Sequence, residues 1–444
     1  MIPLSRPFAS RLVALSGALV LAHCNDDAAT TEPPYDGPTW YRDVQPIVSL
    51  HCAGCHAAGG SGPFALTSYE DAAPRVEAIG FMVRSGLMPP WKADPNCRDY
   101  LDDRTLDPAD KATILAWPDA GGPAGSAKDA VLVTPPAPLH LATVDISATS
   151  AAPYTPKAGP DDDYRCFVIQ HDFTTDTFVT GYEFFPDVGP IVHHAALFMA
   201  APGSDAALAA QEVLDPEPGY TCFGDANVER NDFVGAWAPG MGAQIYPADS
   251  ALVVPAGARL VLQIHYNLVA APPSPDLTRV TLSTRATPPA KRIRQVPLVN
   301  MDIVVPAGDP NSVWNRDLTF DDWLKDFVGE TQAGLTVIGY FPHLHLIGRH
   351  TRGAVVDQAT GVESACLVDI PKWDFHWQHL YMFEEPVHVA PGQALRLTCA
   401  YDNSAANQPI IEGVARTPAE VRWGESSSEE MCVGILITIE DYQP

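Results

Sequence analysis

The chain has 444 residues, 46% of them hydrophobic, and a formal charge of −27 at pH 7. That length exceeds one ordinary domain and suggests about three, with enough apolar residues for real cores. So acidic a surface repels nucleic acid and anionic membrane surfaces, which excludes both as partners; it leaves room for basic electron-transfer partners, and equally serves plain solubility.

In chain order, Arg6 and Arg11 precede the apolar run Leu12 to Ala22, which is too short to span a bilayer as a mature helix. The run ends Leu21-Ala22-His23-Cys24, similar to a bacterial lipoprotein signal whose cysteine is lipidated, although His23 stands where a small residue is expected. Residues 1–24 are therefore expected to be a signal peptide. The protein is expected to be exported, either periplasmic or held at the outer membrane by an N-terminal lipid, its one membrane contact. Residues 25–38 are polar and turn-rich and read as a tether. Of nine cysteines, setting aside Cys24 and the pair Cys52 and Cys55 leaves six, and in an oxidising compartment disulfides persist.

From 39 to 125 the composition is helical and contains His51-Cys52-Ala53-Gly54-Cys55-His56. In C-x-x-C-H two thiols attach haem c and the histidine takes the proximal iron position, but C-x-x-C also serves redox dithiols and half zinc sites. No second C-x-x-C completes a zinc knuckle, and Leu87-Met88-Pro89-Pro90-Trp91 follows downstream. The Met88 thioether in a proline-fixed loop suits a sixth iron ligand; the bland alternative is a core methionine. Asp107 and Pro108 begin a helix that runs to Trp117 and is stopped by Asp119 to Pro123. This part resembles a small class I cytochrome c, on Cys52, Cys55, His56, Met88 and the closing helix, which implies an all-α domain carrying covalent haem c.

Residues 126–142 are a proline-stiffened linker. Beyond them short alternating apolar runs such as Phe178 to Phe185, Leu260 to Tyr266, Val337 to Leu346 and Val433 to Ile439 predict β-strands. So many strands over about 300 residues suit two sandwiches better than one. The boundary is placed in the Arg- and Pro-rich stretch Ala286 to Pro297, giving domains 143–290 and 291–444. The expected fold class is multidomain: a small all-α cytochrome domain followed by two all-β, jelly-roll-like antiparallel sandwiches.

Each sandwich carries candidate metal ligands. In the first, His193-His194 comes early and Gln263-Ile264-His265-Tyr266 late. Adjacent strand residues face opposite ways, so His193 and His194 share one ion only where the strand is bulged or ends. In the second, His343 and His345 alternate with Leu344 and Leu346 and fall on one strand face. Met431 is a third candidate, and a thioether favours copper in its reduced state over zinc. In Trp373 to His379, alternation puts Trp373, Phe375, Trp377 and His379 on one face, read as core, with a pocket wall as the lesser alternative. The remaining histidines, His51, His140, His171, His350, His376, His379 and His388, lack a partner at ligand spacing.

Together these motifs resemble the copper type II, ascorbate-dependent monooxygenases, the family of peptidylglycine α-hydroxylating monooxygenase and dopamine β-hydroxylase. The resemblance covers 160–442. It is carried by His193-His194, Gln263-x-His265-Tyr266, His343-x-His345 with Gly348, and Glu430-Met431-Cys432 in the family's order, with Ala236 to Gly240, Trp373-Asp374-Phe375 and Arg422-Trp423-Gly424 in support. It implies one copper on His193, His194 and His265, storing and passing an electron. It implies a second on His343, His345 and Met431, where dioxygen is bound and a substrate C–H bond attacked. It suggests a Cys399–Cys432 disulfide and, with less behind it, Cys166–Cys222; Cys97 and Cys366 stay unassigned. Peptide-amidating members hold a substrate carboxylate with an arginine, an asparagine and a tyrosine where this chain has Phe341, Val433 and Ile435. An apolar or aromatic small molecule therefore fits better than a peptide C-terminus.

The resulting expectation is an exported copper monooxygenase in which the haem feeds electrons to the first copper and then the second, with ascorbate or a redox protein as outside donor. Two other classes stay open: an electron-transfer or copper-handling protein that hydroxylates nothing, and a zinc hydrolase, which Met431 and the haem motif disfavour.

Overall fold

The structure is a computed structural model that describes residues 35–444 except 59, 61, 135–138, 159–161, 269–270, 320–333, 376, 412–413, 425 and 443–444. The expected signal peptide with Cys24, most of the tether, part of the linker and His376 lie outside the described residues.

A nine-stranded sheet forms the shared layer of the β part. On one face it packs against a five-stranded sheet through Tyr182, Leu252, Ile293 and Ile437 of the one and Leu197, Leu262 and Ile264 of the other. On the opposite face it packs against a four-stranded sheet through Val296, Leu298 and Leu436 against Val355, Leu395 and Leu397. Strands buried on both faces need apolar residues at successive positions, and Ile435, Leu436 and Ile437 supply them in the strand Val433–Asp441.

This layout corrects the expected fold class in two respects. The two sandwiches are not separate bodies, because the presumed boundary is itself a strand. Lys291–Val299 pairs parallel with Ser250–Val254 and antiparallel with Val433–Asp441, so one sheet runs through both halves. Its arginines misled the composition argument: Arg292 and Arg294 are half-buried while Ile293, Val296 and Leu298 fill the two cores.

Nor do residues 39–125 make an all-α cytochrome domain. Of the described residues 38% are strand and 15% helix. Helices in this part are short, namely Gln45–His51, Tyr69–Ala72, Val76–Arg84 and Pro108–Asp119. They share a small core of Trp40, Val48, Val83, Ile114 and Trp117. The stretch after Pro90 leaves that core for the β part. Trp91, Ala93 and Tyr100 belong to the core beneath the four-stranded sheet, and Tyr100 bridges to Phe383. Cys97 is bonded to Cys366. Residues Pro38–Pro444 accordingly form one compact unit.

Candidate metal centre

The strand Val192–Ala200 lies antiparallel to Arg259–Asn267. The register runs Val192 opposite Tyr266 and then His194 opposite His265, leaving His193 as an extra residue. Such a β-bulge turns two consecutive side chains toward one place, the condition the sequence required. His193 Nδ1 lies 3.1 Å and His265 Nδ1 3.3 Å from His194 Nδ1. Donors about 2 Å from a common ion are separated by such distances, and the three ligand atoms lie within 4.8 Å of one another.

Asp162 fixes the orientation of His265. Its Oδ1 accepts from His265 Nε2 at 2.8 Å, so the proton sits on Nε2 and Nδ1 is left with a lone pair. Burial pushes the Asp162 carboxyl up, but the His265 and Asn267 hydrogen bonds outweigh it and hold the group down at about 2. Tyr164 stacks on the other side of His265 at 4.1 Å and 7°. Burial first, then the neighbouring imidazoles, drives the His194 ring well below its ordinary value, which keeps it neutral and able to bind metal.

The second set is built where the strand Leu335–His343 ends beside Val433–Asp441. His343 pairs with Val433, and stepping two residues outward along each chain reaches His345 and Met431. His343 Nδ1 donates to Gln378 Oε1 at 2.6 Å and His345 Nδ1 to the Glu429 carbonyl at 3.2 Å, so Nε2 is the atom each ring keeps for a ligand. Burial lowers both rings, His345 to about 3. Met431 is 9% exposed; its carbonyl accepts from Tyr401 Oη at 2.7 Å, and the Cys399–Cys432 disulfide anchors the next residue. Neutral imidazole nitrogens with a soft thioether match copper better than zinc.

Between these segments lies Glu430, without exposed surface. Its carboxyl accepts from the backbone N–H groups of His345 and Ile347 at 2.9 and 2.8 Å. Burial nevertheless pushes it up to about 8.

Of the residues singled out in the sequence, His193, His194 and His265 come together, and His343, His345 and Met431 lie at adjoining strand ends; the disulfides Cys399–Cys432 and Cys166–Cys222 are present, with Cys97–Cys366 completing the six. It missed Asp162, inside an unremarkable acidic run, and Gln378. Trp373, Phe375 and His379 are buried, as the core reading expects, but no strand holds them: Gln378 is buried beside them and Trp377 is half-exposed, in a loop that reaches both sets. Alternation of aromatic residues hid this, whereas the polar Gln378 within it was the available signal.

Residues 328–438 match the family model of the copper type II ascorbate-dependent monooxygenase C-terminal domain, a stretch that includes His343, His345 and Met431. A tyramine beta-hydroxylase of Caenorhabditis briggsae is 24% identical over 217 residues, which cover 46% of this chain and 33% of the relative. The chain thus spans about a third of the length of the curated relative it matches. The stretch 328–438 is thus similar to the C-terminal domain of that family. Among solved structures, peptide-N(4)-(N-acetyl-β-D-glucosaminyl)asparagine amidase gives a TM-score of 0.30 at 7% identity, covering 66% of this chain and 96% of that one. The major capsid protein P2 of bacteriophage PM2 gives 0.24 at 8%, covering 67% and 98%. Likeness at that level carries no argument.

Proposed function

We propose that this chain hydroxylates a C–H bond of a small apolar or aromatic molecule, with copper held at His193, His194 and His265 and at His343, His345 and Met431. The carrying observation is the convergence of three Nδ1 atoms at a β-bulge whose third histidine is oriented by a half-buried carboxylate. Copper in these sets would supply one-electron storage at the first and dioxygen chemistry at the second. The overall reaction takes one dioxygen, two electrons and two protons with the C–H bond, and yields an alcohol and water.

The chain's own residues prepare for this. Asp162, Gln378 and the Glu429 carbonyl hold protons on the ring atoms facing away from the site, so the opposite nitrogens stay available. Beside His343, the residues Phe341, Val433 and Ile435 share one face of the sheet, since Phe341 pairs with Ile435 and His343 with Val433. That face offers apolar contact and no cation for a carboxylate, which supports an apolar substrate.

Electrons come, on this reading, from ascorbate or a redox protein through haem c attached at Cys52 and Cys55, with His56 and Met88 as iron ligands. Its support is local. Cys52 and Cys55 are the free cysteines among the described residues. His56 is buried, and its Nδ1 donates to the Phe64 carbonyl at 2.9 Å, leaving Nε2 for iron. Three disulfides support an exported location.

The test is oxygen uptake by copper-loaded protein with reductant, across a panel of small aromatic and aliphatic compounds. The reading expects at least one compound to give hydroxylated product in proportion to oxygen consumed. Tight copper binding with no coupled uptake across the panel, or zinc in both sets of protein as isolated, would replace it.

A further inference from the structure

The loop 371–380, between the strands Glu363–Ile370 and Tyr381–Val389, touches both histidine sets. Phe375 is 7% exposed. Its ring stacks on His193, with centroids 5.4 Å apart at 21°, and meets His345 edge-on at 6.2 Å and 89°. One benzene ring therefore lies against an imidazole of each set. The Phe375 carbonyl accepts from Gln378 Nε2 at 3.1 Å, and Gln378 Oε1 accepts from His343 Nδ1 at 2.6 Å. Trp373 Nε1 donates to the His345 carbonyl at 3.2 Å.

The loop is fastened at places away from the histidines. Lys92, its side chain 6% exposed, pairs with Asp374 at 3.0 Å. Trp377 packs against Gly240 so closely that a Cβ there would come within 3.0 Å of the indole. Arg104 donates to the Gly240 carbonyl at 2.7 Å and lies over the Trp377 ring at 5.9 Å. A second link between the segments is Tyr164, stacked on His265, whose hydroxyl lies 3.3 Å from Ser427 Oγ, shortly before Met431.

We infer that Phe375 is a positioning residue that sets the separation of the two metal sites. Close-packed interiors resist compression, so a rigid ring wedged between His193 and His345 fixes their spacing. A smaller or flexible side chain leaves space into which either histidine shifts. The proposal rests on the reading that both sets hold copper.

The experiment measures the distance between the two ions by pulsed dipolar spectroscopy on the full chain with both sites as Cu(II). Copper content and thermal midpoint are recorded on the same samples. Wild type and Phe375→Tyr, which keeps the ring, are expected to give one narrow distribution. Phe375→Leu and Phe375→Met, which keep apolar bulk without a ring, are expected to broaden or shift it while retaining two coppers. Turnover in those two variants should fall by up to ~100-fold, the loss a misplacement of about 1 Å can cause. Unchanged distributions in both ringless variants overturn the proposal with the two-copper reading intact. Fewer than two coppers in wild type overturn that reading and the proposal with it.

Discussion

The carboxyl of Glu430 accepts the backbone N–H of His345, 2.9 Å away, across 85 residues of sequence. Because Glu430 adjoins Met431, this bond and its neighbour from Ile347 tie the two ligand-bearing segments of the second set together. Removing a buried acceptor leaves N–H groups without partners, at about 1–3 kcal/mol each. Glu430→Ala is expected to lower the thermal midpoint and to weaken copper binding at the second set by about 10–100-fold, as loss of outer partners does elsewhere. Titration with a competing chelator, read as copper per chain, checks this.

Asp162 plays the corresponding part in the first set by holding the proton of His265 on Nε2. Asp162→Asn removes the charge and lets an amide N–H face the ring, which favours the wrong tautomer. Copper retention at the first set should fall by about 10–100-fold, while the second set is unaffected. The paramagnetic signals of singly loaded protein distinguish the two.

Fold stability has its own charged anchor. Arg165, without exposed surface, pairs with Asp215 and donates to the carbonyls of Glu217, Pro218 and Gly219. The Arg165 hydrogen bond is the largest influence holding Asp215 down at about 2. A carboxyl lowered on folding contributes stability above its unfolded pKa of about 3.9, and the contribution disappears as pH falls to about 2. Asp215→Asn should cost about 2–3 kcal/mol at pH 7, below the ~3–5 of a fully buried pair because the carbonyl acceptors remain. The gap from wild type in thermal midpoint should be constant above about pH 5 and close between about 4 and about 2.

The cysteine pair gives a prediction independent of copper. Protein made in cells that attach haem c should show a covalent haem spectrum after acid-acetone extraction, and the Cys52→Ser, Cys55→Ser double variant should lose it. Met88→Ala should keep the haem but lose the absorption band of a methionine–iron bond. Extraction of all haem from wild type would remove this part of the account.

How far the sequence could be read depended on whether a feature was local. His343-x-His345 and C-x-x-C-H are short patterns whose chemistry follows from residue type and spacing. His193-His194 could share one ion only where the strand was bulged or ended, a choice that local pattern left open and the register decides for the bulge. What stayed hidden depended on contacts between distant segments. Ile293, Val296 and Leu298 make a strand of a stretch that composition marked as a boundary, because a sheet buried on both faces shows no alternation. Trp91 and Tyr100 leave the helical part for the β core, and no local pattern tells where a chain crosses from one core to another. Asp162 and Gln378 matter only through the rings they meet.

The central claim, oxygen insertion at the second set, is tested most directly by turnover under isotopically labelled dioxygen. Wild-type protein, copper-loaded and reduced, is predicted to carry one labelled oxygen atom into the alcohol product. Met431→Ala, still folded and still binding copper at the first set, is predicted to carry in almost none. Product oxygen derived from water, or full labelled turnover by Met431→Ala, would contradict the account.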